Sequence, residues 1–295
     1  LRTMKTYFLV QPVTRSVFEE QLARIRAEVR NPEAGVFGPD SWMWEITRHV
    51  MVFAGGIGRR ITLQVAHPWV TSGVDQHSKV RSDSAGRARR TYRIVFAMIY
   101  GNLDMALEAA QLAHRVHANI EGTVDAGSNT IAAGTHYMAN EAHAMLWIHA
   151  TMWDTFARVY QMFVRPLQPR ELEEYYQETR RFAWLFGIPD AVLPQSWTAF
   201  QDYCNAMYDS GVLVVNPSTR QLTDFVMRPK SKAASRPMRW IRDMTIGMYP
   251  DNLRQAYGWE YDGQAFAKAV ATGKRLQKWL HLSWILEGLK THRRI

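Results

Sequence analysis

Two neighbouring helical segments carry side chains that suit the binding of a metal-containing cofactor. Arg87, Arg90 and Thr91 are spaced i, i+3 and i+4, so on a helix two cations and a hydroxyl share one face. His114 and His117 share a face of the following segment in the same way. An iron porphyrin takes a neutral imidazole as its axial ligand, and its carboxylate groups pair with cations. The two helical segments together therefore fit a haem site, although a single helical histidine is also common as a hydrogen-bonded core residue.

Other catalytic signatures are missing from the sequence. It contains no His-Glu-x-x-His, no pair of Glu-x-x-His motifs and no Gly-x-Ser-x-Gly, which excludes a zincin, a ferritin-like di-iron centre and a nucleophile elbow. The glycine cluster Gly55–Gly58 lacks the strand context and full spacing of a dinucleotide-binding loop. Cys204 is the only cysteine, so no intrachain disulfide and no cysteine-based zinc or iron–sulfur site can form.

The composition is that of a folded protein with an unusual content of large apolar side chains. Apolar residues make up 47% and charged residues 21%, and there are 11 Trp and 14 Met, which can fill a core or line an apolar cavity. The net charge is +9, which suits nucleic acid, an anionic membrane surface or an anionic cofactor. No nucleic-acid-binding module accompanies the basic patches, so we expect no nucleic-acid partner.

Helical signals dominate the chain. We expect a first helix opened by a capping box of Ser16 and Glu19, and a second capped by Asp40 and interrupted by the glycine cluster. A helix over 82–100 is closed by Gly101, and the next runs from a cap at Asn102 or Asp104 to about residue 120. Another begins at Pro169 and ends near residue 187. The remaining predicted helices span 59–66, 140–164, 196–208 and 262–289. The segments 122–134 and 228–238 are predicted loops, and Gly211–Val215 is the one strand candidate.

These elements predict an all-α fold in a single domain spanning residues 1–295. The last predicted helix has an apolar row that includes Leu276 and Leu280, flanked by basic residues. This pattern fits either a packed core helix or a helix that lies on a membrane surface. A single cysteine and the lack of a membrane-spanning apolar run favour a cytoplasmic protein. The chain begins at Leu1 and not at Met, so the sequence leaves open whether a targeting segment preceded it.

Several short motifs, in order, resemble the catalytic domain shared by the rubber oxygenases (latex-clearing proteins) and a fungal ER-bound oxygenase that shortens a farnesyl chain. The motifs are Leu63-Gln64-Val65-Ala66-His67-Pro68, Gly73-Val74-Asp75-Gln76-His77-Ser78, Arg87-Ala88-Arg89-Arg90-Thr91 followed by Gly101, and Arg115-Val116-His117-Ala118-Asn119-Ile120-Glu121-Gly122. Further matches are Leu146-Trp147-Ile148-His149-Ala150-Thr151, Tyr175-Tyr176-Gln177-Glu178, Leu185-Phe186-Gly187 and Val192-Leu193-Pro194. The resemblance covers about residues 41–210, which leaves residues 211–295 as a C-terminal helical extension.

The resemblance implies a globin-like helical core that binds haem b, with His117 as the proximal iron ligand. Arg87 and Thr91 match the family's Arg-x-x-x-Thr pair, which lines the haem pocket. Arg90 stands where rubber oxygenases can place a lysine on the distal side of the iron. Arginine stays protonated and is a poor ligand, so we expect Arg90 to contact a propionate or a distal water. No counterpart of the glutamate proposed as a base in rubber cleavage is found, which argues against rubber itself as the substrate.

His67 and His77 are further candidates for the cofactor pocket. Each lies at a predicted helix end, where a histidine either acts on the distal side of the haem or satisfies backbone groups at the break. The second role is favoured for both. His149 lies among tryptophans and methionine, where a hydrogen-bonded core histidine is favoured over a ligand.

Three functions follow as hypotheses. The first is a haem-dependent oxygenase that uses O2 on a small apolar substrate, such as an isoprenoid or another olefin, with Arg87, Arg90 and Thr91 acting at the oxygen side. The second is a haem protein without turnover, such as a sensor or carrier. The third is a cofactor-free helical protein whose basic surface docks on a membrane or a partner.

Overall fold

The computed structural model describes residues 11–229 and 231–280, and this part of the chain folds into thirteen α-helices. The helices are α1 (Arg15–Glu28), α2 (Trp42–Thr47), α3 (Val50–Val65), α4 (Pro68–His77), α5 (Ser84–Tyr100), α6 (Leu103–His117), α7 (Ala142–Phe163), α8 (Pro169–Trp184), α9 (Trp197–Asp209), α10 (Pro217–Met227), α11 (Ser235–Gly247), α12 (Asp251–Tyr257) and α13 (Gly263–Trp279). A 3₁₀ turn, Pro32–Ala34, lies between α1 and α2. The all-α prediction is confirmed, whereas the globin-like arrangement stays a prediction.

The sheet content of the described residues is one short antiparallel hairpin. Its strands are β1 (Glu121–Thr123) and β2 (His136–Met138), with Gly122 opposite Tyr137. The strand candidate Gly211–Val215 forms no strand and has no sheet partner among the described residues. It runs through the protein interior instead, with Val212 buried and the backbone N–H of Val214 donating to the carbonyl of Ala66 at 2.8 Å.

Helices α3 and α7 pack against each other at the centre of the core. The predicted interruption at the glycine cluster is wrong, since α3 runs through it without a break. The glycines are sites of close approach: a Cβ on Gly55 would lie 2.7 Å from the Phe163 ring, and one on Gly56 would lie 2.7 Å from a methyl of Thr155. The helix break falls earlier, at Arg48–His49 between α2 and α3.

The C-terminal helices cover α3 and α7 from one side. Both α11 and α13 pack on α3, and the hydroxyl of Tyr249 donates to Thr62 Oγ1 at 2.6 Å. The predicted loop 228–238 is too long, because α11 begins at Ser235. Pro237 is tolerated there because the first turn of a helix has no intrahelical partner for its backbone N–H groups.

Local capping signals set several helix ends. Gly101 ends α5 and Asn102 caps α6, as the spacing predicts, whereas the cap of α5 is Asp83, one residue after the predicted start of the helix. The predicted cap at Ser16 is wrong: Thr14 caps α1, and Glu19 pairs with Arg15 instead of closing a capping box. The last helix is confirmed over Gly263–Trp279, and its predicted remainder beyond residue 280 lies outside the described residues. Among the described helices, none combines the length and apolar character needed to cross a bilayer.

Candidate cofactor site

The helices α5 and α6 form an antiparallel pair joined at Gly101 and Asn102. Near the turn the two helices bury their apolar residues, which are Val95, Met98 and Ile99 of α5 and Leu103, Ala106, Leu107 and Ala110 of α6. At the far end the pair is open to solvent. There Leu112 and Val116 of α6 are 44% and 48% exposed. Apolar side chains left in solvent at the open end provide contact area for an apolar partner.

The candidate haem ligand and the candidate propionate-binding arginine lie at the same level of this pair. His117 is the last residue of α6, and Arg87 lies in the first turn of α5. At 1.5 Å per residue, each lies about 20 Å from the connecting turn. The antiparallel topology therefore brings both residues to the open end of the pair, as the short turn predicts.

His117 lies at this open end of the pair. Its side chain is half-buried, and its ring packs on Phe186 with centroids 6.0 Å apart and planes 27° from parallel. Burial, with a smaller contribution from His114, lowers the pKa of His117 to about 4. The imidazole is therefore neutral near pH 7, which is the protonation state that binds a metal. It makes no ion pair with the described carboxylates.

Phe18 and Phe186 fix the two histidines of α6 in different surroundings. The His114 ring stacks on Phe18 with centroids 4.1 Å apart and planes 3° from parallel, so His114 is engaged with α1. His117 contacts Phe186, which lies just after α8 and itself contacts Phe182 at 5.4 Å. The two imidazoles therefore serve different neighbours, and His117 is the one beside the open end.

Arg87 is a cation without a carboxylate partner in the described part of the chain. Its surface is accessible to solvent, yet crowding by protein atoms and then repulsion from Arg90 lower its pKa. The guanidinium nonetheless stays protonated at neutral pH, so it presents an unneutralised positive charge at the open end of the pair.

Arg90 and Thr91 complete the exposed face of α5, and Arg90 is already engaged. Its Nη1 lies 3.1 Å from Oδ2 of Asp83, the carboxylate that caps the same helix. Both side chains of this pair are well exposed, so the ion pair is weak. Thr91 lies one turn beyond Arg87 on the same face and is exposed. Of the three residues, Arg87 is the free cation.

His67 is buried at the start of α4, where its backbone takes the N-cap position. The expectation that its side chain satisfies a backbone group is wrong, since the side chain makes no capping hydrogen bond. Its Nδ1 has no partner among the described residues, and burial lowers its pKa to about 4. The ring meets the indole of Trp69 edge-on, with centroids 5.9 Å apart.

His77 lies at the other end of α4 and is exposed. Its Nε2 is 3.0 Å from the carbonyl oxygen of Glu121, so it does satisfy a backbone group, as expected. Because α4 is ten residues long, His67 and His77 are about 15 Å apart along it and cannot both contact one iron. Glu121 follows His117 by four residues, so His77 helps to hold the chain where it leaves α6.

Two supporting residues escape sequence reasoning. Gln76 donates to the carbonyl of Thr123 at 2.9 Å and accepts from the hydroxyl of Tyr137 at 2.8 Å, which fastens α4 to both strands of the hairpin. Gln76 and Phe186 both lie within motifs of the family resemblance, but no spacing rule marks either as a contact of the site. Within residues 11–229 and 231–280, no cluster of three or more His, Cys, Asp or Glu side chains is arranged to hold a bare metal ion.

Comparison with known protein families identifies a match over most of the chain. The family model described as the catalytic domain of ER-bound oxygenase mpaB/B'/rubber oxygenase matches residues 44–281, well over half of the chain. The match extends past residue 210 into the helices α10–α13. Neither the curated proteins nor the solved structures contain a significant match to this chain.

Proposed function

The chain belongs to the family of the ER-bound oxygenase mpaB/B'/rubber oxygenase catalytic domain, and from this premise we propose that it is a haem b-dependent oxygenase. Family membership supports an enzyme of the oxidoreductase class. The proposal adds the cofactor, its ligand His117, O2 as co-substrate and a small apolar substrate, such as an isoprenoid or another olefin. The observation that carries it is the neutral, half-buried His117 at the same end of the α5–α6 pair as the unpaired Arg87.

The residues present suit a haem. A neutral imidazole at the end of α6 can bind the iron without first losing a proton at pH 7. Phe186 supports one side of the imidazole, so the ring is held by packing. The exposed Leu112 and Val116 offer apolar contact area next to it on α6. These features favour a flat apolar cofactor over a hydrated metal ion.

Arg87 is the residue best placed to bind a propionate. It has no carboxylate partner among the described residues, and an anion would neutralise a charge that the fold leaves unpaired. Thr91 lies one turn further along the same face and can donate a hydrogen bond. Arg90 is held by Asp83 at the start of its own helix, so it would be less available than Arg87 to a bound haem.

Bound haem supplies the oxygen chemistry, whereas the protein supplies position, electrostatics and the exclusion of water. In this proposal His117 would hold and orient the cofactor, Arg87 would anchor its edge and Thr91 would donate a hydrogen bond to it. The apolar surface at the open end receives the substrate. Each of these roles is a binding or orienting role, and none requires a second protein group that transfers a proton.

A haem protein without turnover is the alternative, because the arginine at position 90 differs from the lysine that rubber oxygenases can carry there. Incubation of haem-loaded protein with a short isoprenoid olefin under ¹⁸O₂ separates the two functions. The oxygenase proposal predicts ¹⁸O in an olefin-derived product, and no product in a matched incubation under nitrogen. Haem-loaded protein that leaves every olefin tested unchanged under oxygen would support the carrier or sensor.

We also propose that the end of α13 associates with an anionic membrane surface. Leu276, Trp279 and Leu280 are 42%, 82% and 40% exposed. The basic residues Lys274, Arg275 and Lys278 are exposed beside them. A helix end that combines exposed apolar and basic side chains has the composition of an interfacial membrane contact. Delivery of an apolar substrate from a lipid phase would then need no soluble carrier.

A further inference from the structure

A cleft lies away from the α5–α6 pair. It is an open cleft of about 560 Å³ bounded by α3, α7, α9, α13 and the segment 247–250 that joins α11 to α12. The side chains that matter for its chemistry are Arg59, Arg158, Asn205 and Tyr208 on the polar side and Met162, Met248 and Phe266 on the apolar side. No residue of α5 or α6 lines it, so it is distinct from the proposed haem site.

The polar side of this cleft carries an unbalanced positive charge. Arg59, whose side chain is 1% exposed, lies 2.8 Å from Oδ2 of the equally buried Asp154. Arg158 Nε lies 2.9 and 2.8 Å from the two oxygens of the same carboxylate. Two guanidinium groups therefore share one carboxylate, and none of the residues that line the cleft is acidic.

Two neighbouring acidic residues contact residues outside the lining of the cleft. Asp209 of α9 accepts a hydrogen bond from the amide of Asn252, and Asp251 pairs with Arg254. Burial alone would raise the pKa of Asp154, but Arg59 and Arg158 lower it overall, so the carboxylate stays ionised. The cluster of Arg59, Arg158 and Asp154 therefore carries a charge of +1, which matches a single negative charge on a ligand.

Donors on the polar side remain available to such a ligand. The Tyr208 hydroxyl accepts a hydrogen bond from Arg59 Nη2 at 2.8 Å, which leaves its own hydrogen free to donate. Burial raises the pKa of Tyr208, so that hydrogen is kept at neutral pH. Arg158 donates from Nε to Asp154 and from Nη2 to Gln201, and its Nη1 has no hydrogen-bond partner among the described residues. The Asn205 side chain lies exposed at the rim one helical turn from Tyr208.

We propose that this cleft binds a monoanionic amphiphile, with a carboxylate headgroup at Arg158 and Tyr208 and an alkyl chain against Met162, Met248 and Phe266. The single excess charge favours a carboxylate over a phosphate dianion. The volume lies within the range of small-molecule sites, and methionine and aromatic walls suit a flexible chain. The site is independent of the haem proposal, so either can fail without the other.

Calorimetric titration of the full chain with decanoate and with decan-1-ol tests this site. The two probes share an alkyl chain and differ in the headgroup charge. We expect decanoate to bind about ten-fold more tightly than the alcohol, because a charge-assisted hydrogen bond is worth that much in affinity. Equal affinity for the two probes, or no binding of either, would overturn the proposal.

Two variants locate the headgroup. Tyr208→Phe removes only the hydroxyl and should weaken decanoate binding about ten-fold while leaving decan-1-ol unchanged. Arg158→Gln removes the accessible cation and should do the same. Lys268→Gln, which removes an exposed charge of α13 outside the cleft, is the charge-matched control. Circular dichroism confirms folding of each variant, and decanoate affinity that is the same in all three would contradict the assignment.

Discussion

The indole Nε1 of Trp153 donates a hydrogen bond of 3.1 Å to Nδ1 of His149, one turn away on α7. This bond fixes the tautomer, because Nδ1 must accept and Nε2 must carry the hydrogen. His149 is 4% exposed, and its Nε2 has no partner among the described residues. The core interpretation made from its apolar neighbours in the sequence agrees with this placement.

Burial lowers the pKa of His149 to about 3, which predicts a pH-dependent contribution to stability. Between about pH 6.5 and 4 the unfolded chain binds a proton at this residue while the folded protein does not. Stability therefore falls as the pH falls through this window. Relative to His149→Phe, the wild type should lose about 1.4 kcal/mol of unfolding free energy per pH unit. Urea denaturation of both proteins from pH 7 to 4.5 measures this, and parallel curves would refute it.

The close packing around Gly58 predicts that a larger residue there lowers the free energy of unfolding. A Cβ at this position would meet the hydroxyl of Thr245 on α11, so Gly58→Ala forces α3 and α11 apart. We expect a net loss of about 1–3 kcal/mol, even though alanine is the better helix former. Gly58→Ala combined with Thr245→Ala removes the clash and should recover part of the loss. Urea midpoints compare the three proteins, and a single variant as stable as the wild type would contradict the packing.

Much of the cofactor-site scaffold could be predicted from short-range signals, because capping depends on neighbouring residues. Asp83, Gly101 and Asn102 set the ends of α5 and α6 through contacts within a few residues. The glycines of α3 could not be interpreted this way, since their partners lie on α7 and α11. A helix breaker and a close-packing glycine look identical until the partner helix is known.

The site residues also differ in whether their placement could be predicted from the sequence. The spacing of Arg87 and His117 along the α5–α6 pair predicts that they lie at the same end of it. Each is about the same number of residues from the short connecting turn, and the helix rise per residue is fixed. The ion pair of Arg90 with Asp83 and the orphaned Nδ1 of His67 depend on side-chain directions that no spacing specifies. The shared carboxylate Asp154 also escapes sequence reasoning, since Arg59 lies 95 positions away on another helix.

Replacing Arg87 should selectively lower the affinity of the protein for haem. Arg87→Gln should lower the affinity for haem about ten-fold, because a charge-assisted hydrogen bond to a propionate is lost. Arg90→Gln, whose guanidinium is occupied by Asp83, should have a smaller effect and serves as the matched control. Titration of the apoprotein with haem, followed by absorbance, measures both affinities. A larger loss in the Arg90 variant would assign the propionate to that residue instead.

Replacing Trp279 should weaken membrane binding and leave haem binding unchanged. Trp279→Ser removes the most exposed large apolar side chain of α13 and should reduce co-sedimentation with vesicles that contain anionic lipid. Tyr261→Ser, which removes a 52% exposed aromatic side chain elsewhere, is the control and should bind as the wild type does. Vesicle binding unchanged by Trp279→Ser would remove this helix end from the proposed surface.

The most direct test of the haem proposal is the visible absorption spectrum of protein produced with a haem precursor, measured for the wild type and for His117→Ala. His114→Ala is the matched control, because His114 lies on the same helix but stacks on Phe18. We predict a Soret band in the wild type and in His114→Ala that is lost or strongly shifted in His117→Ala. A folded wild type without a Soret band, or a His117→Ala spectrum identical to that of the wild type, would contradict His117 as the iron ligand.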